Sequence, residues 1–224
     1  MNETDLDNYN RIGNGEIGFY SQKRGLIAVW GKEAVQFLNG LITNDVAKLE
    51  DGAQMFAVFP DAKGRLIAVV RVLRTGEKFL FETESATHEK VFNNLFRFTF
   101  AGDFFVEDLS EKYEYFSVQS PKSKVQSLPS ITFETNFGAD CFVLKESVKD
   151  FVEKLKNQNA VEISDALYEV LRIEQGIALY GVDMDETTIV PELGIEGLIS
   201  YNKGWYIGQE IIARIYFRGH VAKQ

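Results

Sequence analysis

The spacing of apolar residues switches between two periods along the first third of the chain. Residues 17–20 and 26–30 are short apolar runs flanked by Gly18, Gly25 and Gly31, which predicts a pair of short strands. From residue 32 to 41 the period lengthens. Ala34, Phe37, Leu38 and Leu41 fall at i, i+3, i+4 and i+7, the stripe of an amphipathic helix, and a polar turn at 43–45 follows. Residues 53–59 and 66–73 read as strands joined by 60–65, where Pro60 and Gly64 suit a hairpin loop. Thr75-Gly76 turns the chain into a strand at 79–83. Ser85 is expected to cap a helix striped with His88, Val91, Phe92 and Leu95, and residues 98–106 and 113–119 return to strand.

This order predicts an α+β fold with antiparallel hairpins rather than a repeated βαβ winding. Residues 120–130 are polar and hold Pro121 and Pro129, so they read as a connecting loop between an N-terminal part (1–120) and a second α+β part (131–224). In the second part, 131–134 and 141–145 are strand-like. Ser147, with Asp150 three residues on, is expected to cap a helix whose stripe is Val148, Phe151, Val152 and Leu155. No internal repeat or low-complexity run interrupts the pattern.

Composition narrows the function classes. Among 224 residues, 45% are hydrophobic and 18 are Phe, enough for a sizeable core rich in rings. The formal net charge of -9 argues against direct binding of duplex nucleic acid, which needs a positive face to displace counterions. The single cysteine, Cys141, excludes a disulfide within the chain and a cysteine-built metal centre, and its strand-like surroundings suggest a buried, inert thiol. His88, on an apolar helix stripe without a partner at ligand spacing, reads as a satisfied boundary histidine, and His220 offers no more. No metal site is expected. The acidic N-terminus lacks an apolar run, and no window approaches the roughly 18 apolar residues that span a bilayer. A cytoplasmic protein without membrane contact is expected.

Two features hint at a ligand. The helix starting at Ser164 has the stripe Leu167, Val170, Leu171, and the next position on it is Glu174. A carboxylate there either reaches solvent past the helix-breaking Gly176 or faces inward, where it needs a hydrogen-bonding partner. In the second case its two acceptors suit a ring edge with adjacent N–H donors, as in a pteridine or an arginine. Near the C-terminus Arg214, Arg218, His220 and Lys223 oppose only Glu210: cations placed against a helix dipole, or an anion-binding cluster.

Several motifs resemble those of the folate-binding YgfZ/GcvT-like family. Residues 171–176 (Leu-Arg-Ile-Glu-Gln-Gly), Leu179-Tyr-Gly181, Asp183-Met-Asp-Glu186 and Pro191-Glu192 are similar to a stretch shared by aminomethyltransferase T-proteins and YgfZ-like proteins. Residues 40–46 (Gly-Leu-Ile-Thr-Asn-Asp-Val) resemble its early G-x-x-T-N-D-V element, and residues 60–65 its K-G-R hairpin. Residues 203–210 (Lys-Gly-Trp-Tyr-Ile-Gly-Gln-Glu) match the YgfZ signature K-G-C-Y-x-G-Q-E except that Trp205 replaces the cysteine. The four appear in order across most of the chain.

The resemblance implies a GcvT/YgfZ-like folate-binding fold with a ferredoxin-like element and a C-terminal β-barrel domain, the latter absent here because the sequence stops about where it begins. It implies tetrahydrofolate or a folate derivative as cofactor. Glu174 falls on the family's pteridine-recognising glutamate, and Asn44, Asp45, Lys203, Trp205, Tyr206, Gln209 and Arg214 are further candidates for ligand binding. Gly208-Gln-Glu210 looks like a helix start that either meets a polar ligand or only permits a tight turn. Tyr201 and Tyr206 line either the pocket or the core.

Two departures set the functional expectation. T-proteins use a strand aspartate after the glycine hairpin, and the matching run, residues 65–70, has no acid. Aminomethyl transfer is therefore the alternative, and no catalytic residue is assigned. The YgfZ role in iron–sulfur cluster assembly or repair, and in tRNA modification, is associated with the motif cysteine, whereas an indole offers no thiolate but stacks or fills a pocket. The leading expectation is a folate-binding YgfZ-like protein, non-catalytic or degenerate, with iron–sulfur enzymes or assembly proteins as partners. A scaffold with Trp205 plugging a decayed pocket is the third reading.

Overall fold

The structure is a computed structural model that describes residues 1–120 and 130–219. Most of the expected connecting loop, with Pro121 and Pro129, lies outside the described residues, as do His220 and Lys223. Two compact units are each assembled from separated stretches: residues 1–23 with 110–178, and residues 24–109 with 179–224. The chain passes between them at 23/24, 109/110 and 178/179 rather than once.

The first unit begins with a helix that the apolar pattern did not predict, α1 (Glu3–Gly13). Its signal is a capping box: the Asn2 side chain accepts from the Asp5 N–H at 2.8 Å, and the Asp5 carboxylate accepts from the Asn2 N–H at 2.9 Å. A five-stranded sheet follows, built of β1 (Gly18–Gln22), β7 (Tyr113–Gln119), β8 (Ile131–Thr135), β9 (Gly138–Leu144) and the two-residue β10 (Val161–Glu162), in the order β10-β1-β7-β9-β8. The β1–β10 pair is parallel and the others antiparallel.

On one face, Ile17, Phe19, Phe116, Val118, Cys141 and Val143 pack with Phe151 and Leu155 of α4 (Val148–Asn157), the stripe read from the sequence. Ser147 sits at the cap of α4 without a side-chain cap bond, so the expected capping box does not form. Tyr20 points away from that core and stacks on Tyr168 of α5 (Asp165–Glu174), with ring centroids 4.2 Å apart. Burial and a hydrogen bond to Asp165 push its phenol up to about 12. Cys141 is buried as expected, and burial pushes its thiol up to about 11.

The second unit is built on an antiparallel sheet of β2 (Arg24–Trp30), β3 (Gln54–Pro60), β4 (Leu66–Thr75), β5 (Lys78–Glu84) and β6 (Phe105–Asp108), in the order β3-β4-β5-β2-β6. The two short strands expected over residues 17–30, β1 and β2, therefore belong to different sheets. One sheet face carries Ile27, Val29, Val70, Val72, Phe79 and Phe81. It packs with Leu38 and Leu41 of α2 (Ala34–Leu41) and Val91 and Leu95 of α3 (His88–Phe96). Thr87 rather than Ser85 occupies the cap position of α3, and of the strand expected at 98–106 only residues 105 and 106 pair, in a strand that runs on to Asp108. His88 is satisfied from both sides, by Thr83 Oγ1 at 2.9 Å and Asp108 Oδ2 at 2.8 Å.

The opposite face of this sheet carries a buried ion triad. Glu82 lies between Arg71 (2.9 Å) and Arg24 (3.1 Å), with all three side chains at most 10% exposed. Burial alone would raise the Glu82 carboxyl, but the two guanidinium groups outweigh it and hold Glu82 below the usual carboxylate range. Glu84, two residues on, is pushed upward by burial against the attraction of Arg24.

Candidate functional site

Most of the sequence-marked residues gather in the second unit, where residues 188–212 are stitched onto residues 40–66. Thr43, fully buried, donates from its hydroxyl to the Leu198 carbonyl at 2.6 Å and accepts from the Val58 N–H at 2.9 Å. Asn44 uses its amide completely: Nδ2 donates to the carbonyls of Phe56 and Gly197, both at 2.8 Å, and Oδ1 accepts from the Asp45 N–H. Asp45 accepts from Asn39 (3.0 Å) and the Ala47 N–H (3.1 Å) and pairs with Lys48 at 3.3 Å. Burial opposes its ionisation, but these bonds hold its carboxyl below the usual range.

The Lys203 ammonium donates to the carbonyls of Ile42 and Asn44, both at 2.7 Å, and lies 5.1 Å from the centroid of the Tyr206 ring. Burial lowers its pKa to about 8, against the attraction of Asp45. Tyr206 is 2% exposed, so of the two tyrosines it is a core residue, and burial pushes its phenol up to about 12. Tyr201 is half-buried and stacks on Tyr216 at 3.7 Å, beside a groove of about 340 Å³ that Ile195, Leu198 and Ile215 also line.

Gly208 opens α6 (Gln209–Arg218) with φ +79°. A Cβ there would lie 2.4 Å from the Asp61 carbonyl oxygen, and one on Gly64 would press on Ile211 at 3.3 Å. The two glycines thus let the hairpin 60–65 and the start of α6 touch backbone to backbone. Asp61 folds that hairpin by accepting from the N–H groups of Lys63 and Arg65, both at 2.8 Å. Gln209 accepts from the Tyr206 N–H at 3.4 Å, and Arg214 pairs with Glu210 at 2.7 Å on exposed helix surface. Trp205 stands apart: it is 79% exposed rather than buried in a channel.

Glu174 belongs to the first unit. It is exposed rather than inward-facing, because the last turn of α5 carries it past the stripe, and it accepts from the Tyr9 hydroxyl of α1 at 2.9 Å. That bond raises the Tyr9 phenol. The next residue, Gln175, donates to Gln119 at 2.7 Å, while its own buried Oε1 has no protein partner among the described residues. Sequence reading missed Tyr9 because no element was expected before residue 17, although Asn2 and Asp5 carry the capping signal. It missed Thr43 because a hydroxyl in a polar turn gives no sign of burial.

No helix among the described residues is long and apolar enough to cross a membrane. The two sheets and their flanking helices place the chain in the GcvT-like class of α+β folds. The crystal structure of glycine cleavage system aminomethyltransferase T from Bartonella henselae matches 96% of this chain and 67% of its own length at a TM-score of 0.82 and 18% identity. The chain belongs to the GCVT N-terminal domain family, whose model matches residues 19–155. Among curated relatives, an aminomethyltransferase of Thermoanaerobacter pseudethanolicus is 24% identical over 95% of this chain and 67% of its own length. An aminomethyltransferase of Pseudothermotoga lettingae is 27% identical over 85% of this chain and 61% of its own. An iron-sulfur cluster assembly factor IBA57 homolog, mitochondrial, from Mycosarcoma maydis is 26% identical over 90% and 54%. The chain thus spans between 54% and 67% of the length of these relatives.

Proposed function

We propose that this chain is a folate-binding protein of the YgfZ-like branch that supports iron–sulfur cluster assembly or repair, and through it tRNA modification, in the cytoplasm. The observation that carries the reading is the signature at 203–210, intact in sequence except for Trp205 and intact in structure as a backbone-anchored loop. The IBA57 homolog among its relatives supports the same branch. The ligand is tetrahydrofolate or a derivative. The Glu174 carboxylate keeps acceptor capacity beyond its one tyrosine bond, as a pteridine edge requires. Iron–sulfur enzymes or assembly proteins are the partners. With Trp205 in the thiol's place the protein works by binding rather than by thiolate chemistry.

Titration of 5-formyltetrahydrofolate by calorimetry tests the ligand. Micromolar binding that weakens about tenfold or more in Glu174→Ala is expected, since hydrogen bonds to charged groups are worth about 1.5–3 kcal/mol. No binding at high micromolar concentration would sink the reading.

One observation favours folate-dependent aminomethyl transfer as a second reading. Strand β4 has no acid, but Glu84 on the adjacent β5, one position past the Val70–Thr83 pair, is a carboxyl raised by burial and held by the Tyr180 N–H at 3.0 Å. A raised carboxyl is suited to proton transfer near neutral pH. Methylenetetrahydrofolate formed from an aminomethyl donor, and lost in Glu84→Gln, would establish that activity, and its absence leaves the binding role.

A further inference from the structure

Within residues 203–208 the backbone is pinned and one large side chain is left free. Lys203 is fixed by the carbonyls of Ile42 and Asn44, the Ile207 N–H donates to the Gly40 carbonyl at 3.1 Å, and Gly208 is packed against Asp61. Trp205 lies between the first two anchors. Its indole N–H has no protein partner among the described residues, and the ring is 79% exposed.

An ammonium has three donors and no fork to match a carboxylate, and here two donors end on main-chain oxygens while the tyrosine ring takes part of the charge. The Asn44 amide beside it has no unused donor either. An exposed apolar side chain on a mobile loop pays an ordering cost when it binds, and a pinned backbone removes most of that cost.

We infer that Lys203 is a positioning residue that clasps the 203–208 segment to the 42–44 turn so that Trp205 is presented as the contact group, and that Lys203 itself touches no ligand. The signature lysine then acts through the indole, and the ligand class is one with a planar face that stacks on it. The inference rests on the folate reading for its ligand readout alone.

The test uses the whole chain in a Trp30→Phe background, which leaves Trp205 as the sole tryptophan. Time-resolved anisotropy reports the motion of the indole, and chymotryptic cleavage beside Trp205 reports opening of the segment. Lys203→Met is expected to raise the fast-motion amplitude about twofold and cleavage about tenfold, because local opening follows the bonds that close the segment. For 5-formyltetrahydrofolate, Lys203→Met is expected to weaken affinity no more than Trp205→Ala does, and the double variant to equal Trp205→Ala, since residues acting through one contact are not additive.

Unchanged mobility and cleavage in Lys203→Met, or affinity losses that add in the double variant, would overturn the inference. Should Lys203→Met fail to fold, Lys203→Gln, which replaces the ammonium that bonds both carbonyls by a shorter neutral amide, gives the same readouts with the same expected direction. Should the parent bind no folate, the proposed function falls, and the mobility and cleavage measurements still decide the clasp.

Discussion

The last turn of α5 and the segment 203–208 both carry residues that the sequence marks for ligand recognition, and they treat them oppositely. At 203–208 the Lys203 ammonium faces inward onto two main-chain carbonyls, and Trp205 faces out. At the end of α5 the apolar stripe faces inward, and the carboxylate of Glu174 stands exposed with one tyrosine partner. Motif residues therefore divide into those that shape a loop and those with hydrogen-bonding capacity or stacking surface left over. Sequence spacing alone does not make that division, because main-chain partners come from stretches about 150 residues away.

Replacing the glycine that ends the 203–208 segment should have the largest effect. Gly208→Ala combines a positive φ with a Cβ 2.4 Å from the Asp61 carbonyl, so a loss of about 2–5 kcal/mol in urea unfolding is expected. A loss below about 0.5 kcal/mol would show that the hairpin gives way easily and that the segment is less fixed than its contacts suggest.

Lys203→Met should come next, at about 1–3 kcal/mol, because two main-chain carbonyls lose charge-assisted donors. An equal loss in Glu174→Gln would erase the contrast between the two regions.

The pH profile of stability sharpens the contrast further. Lys203 releases its proton near pH 8 in the folded chain but near its ordinary 10.5 when unfolded, so the unfolded state binds more protons between those values. Its contribution to stability therefore rises from about pH 8 to 10, and this rise should vanish in Lys203→Met. Tyr20 and Tyr206 behave in the reverse sense. Their folded pKa values are raised to about 12 from 10.0, so their contribution is complete below pH 10 and is lost as pH rises toward 12. Urea midpoints measured from pH 7 to 11 in parent, Lys203→Met and Tyr20→Phe separate the two trends.

The smallest effect on stability should be at the exposed groups. Glu174→Gln and Trp205→Ala are each expected to shift stability by less than about 0.5 kcal/mol, while weakening folate binding. A larger shift in thermal melting would mean that these side chains serve the fold.

The helix stripes were legible in the sequence because apolar period is local information: Ala34, Leu38 and Leu41 on α2, and Phe151 and Leu155 on α4, are buried as their spacing predicts. The hairpin 60–65 was legible because Gly64 marks its positive φ. The partition of strands was not legible. Nothing in residues 17–30 says that β1 and β2, adjacent in the chain, join different sheets, since strand pairing depends on non-local partners. In the same way the period of α5 left Glu174 open between solvent and interior, and the last turn of the helix leaves it in solvent.

The sequence by itself determined the α+β class, the order of most elements and the family motifs, because each rests on residues close together in the chain. Only the tertiary structure decided what those motif residues do. A lysine, an asparagine or an indole becomes a clasp or a contact group according to which backbone oxygens fold up beside it. For Lys203 these are the carbonyls of Ile42 and Asn44, and for Trp205 there are none among the described residues.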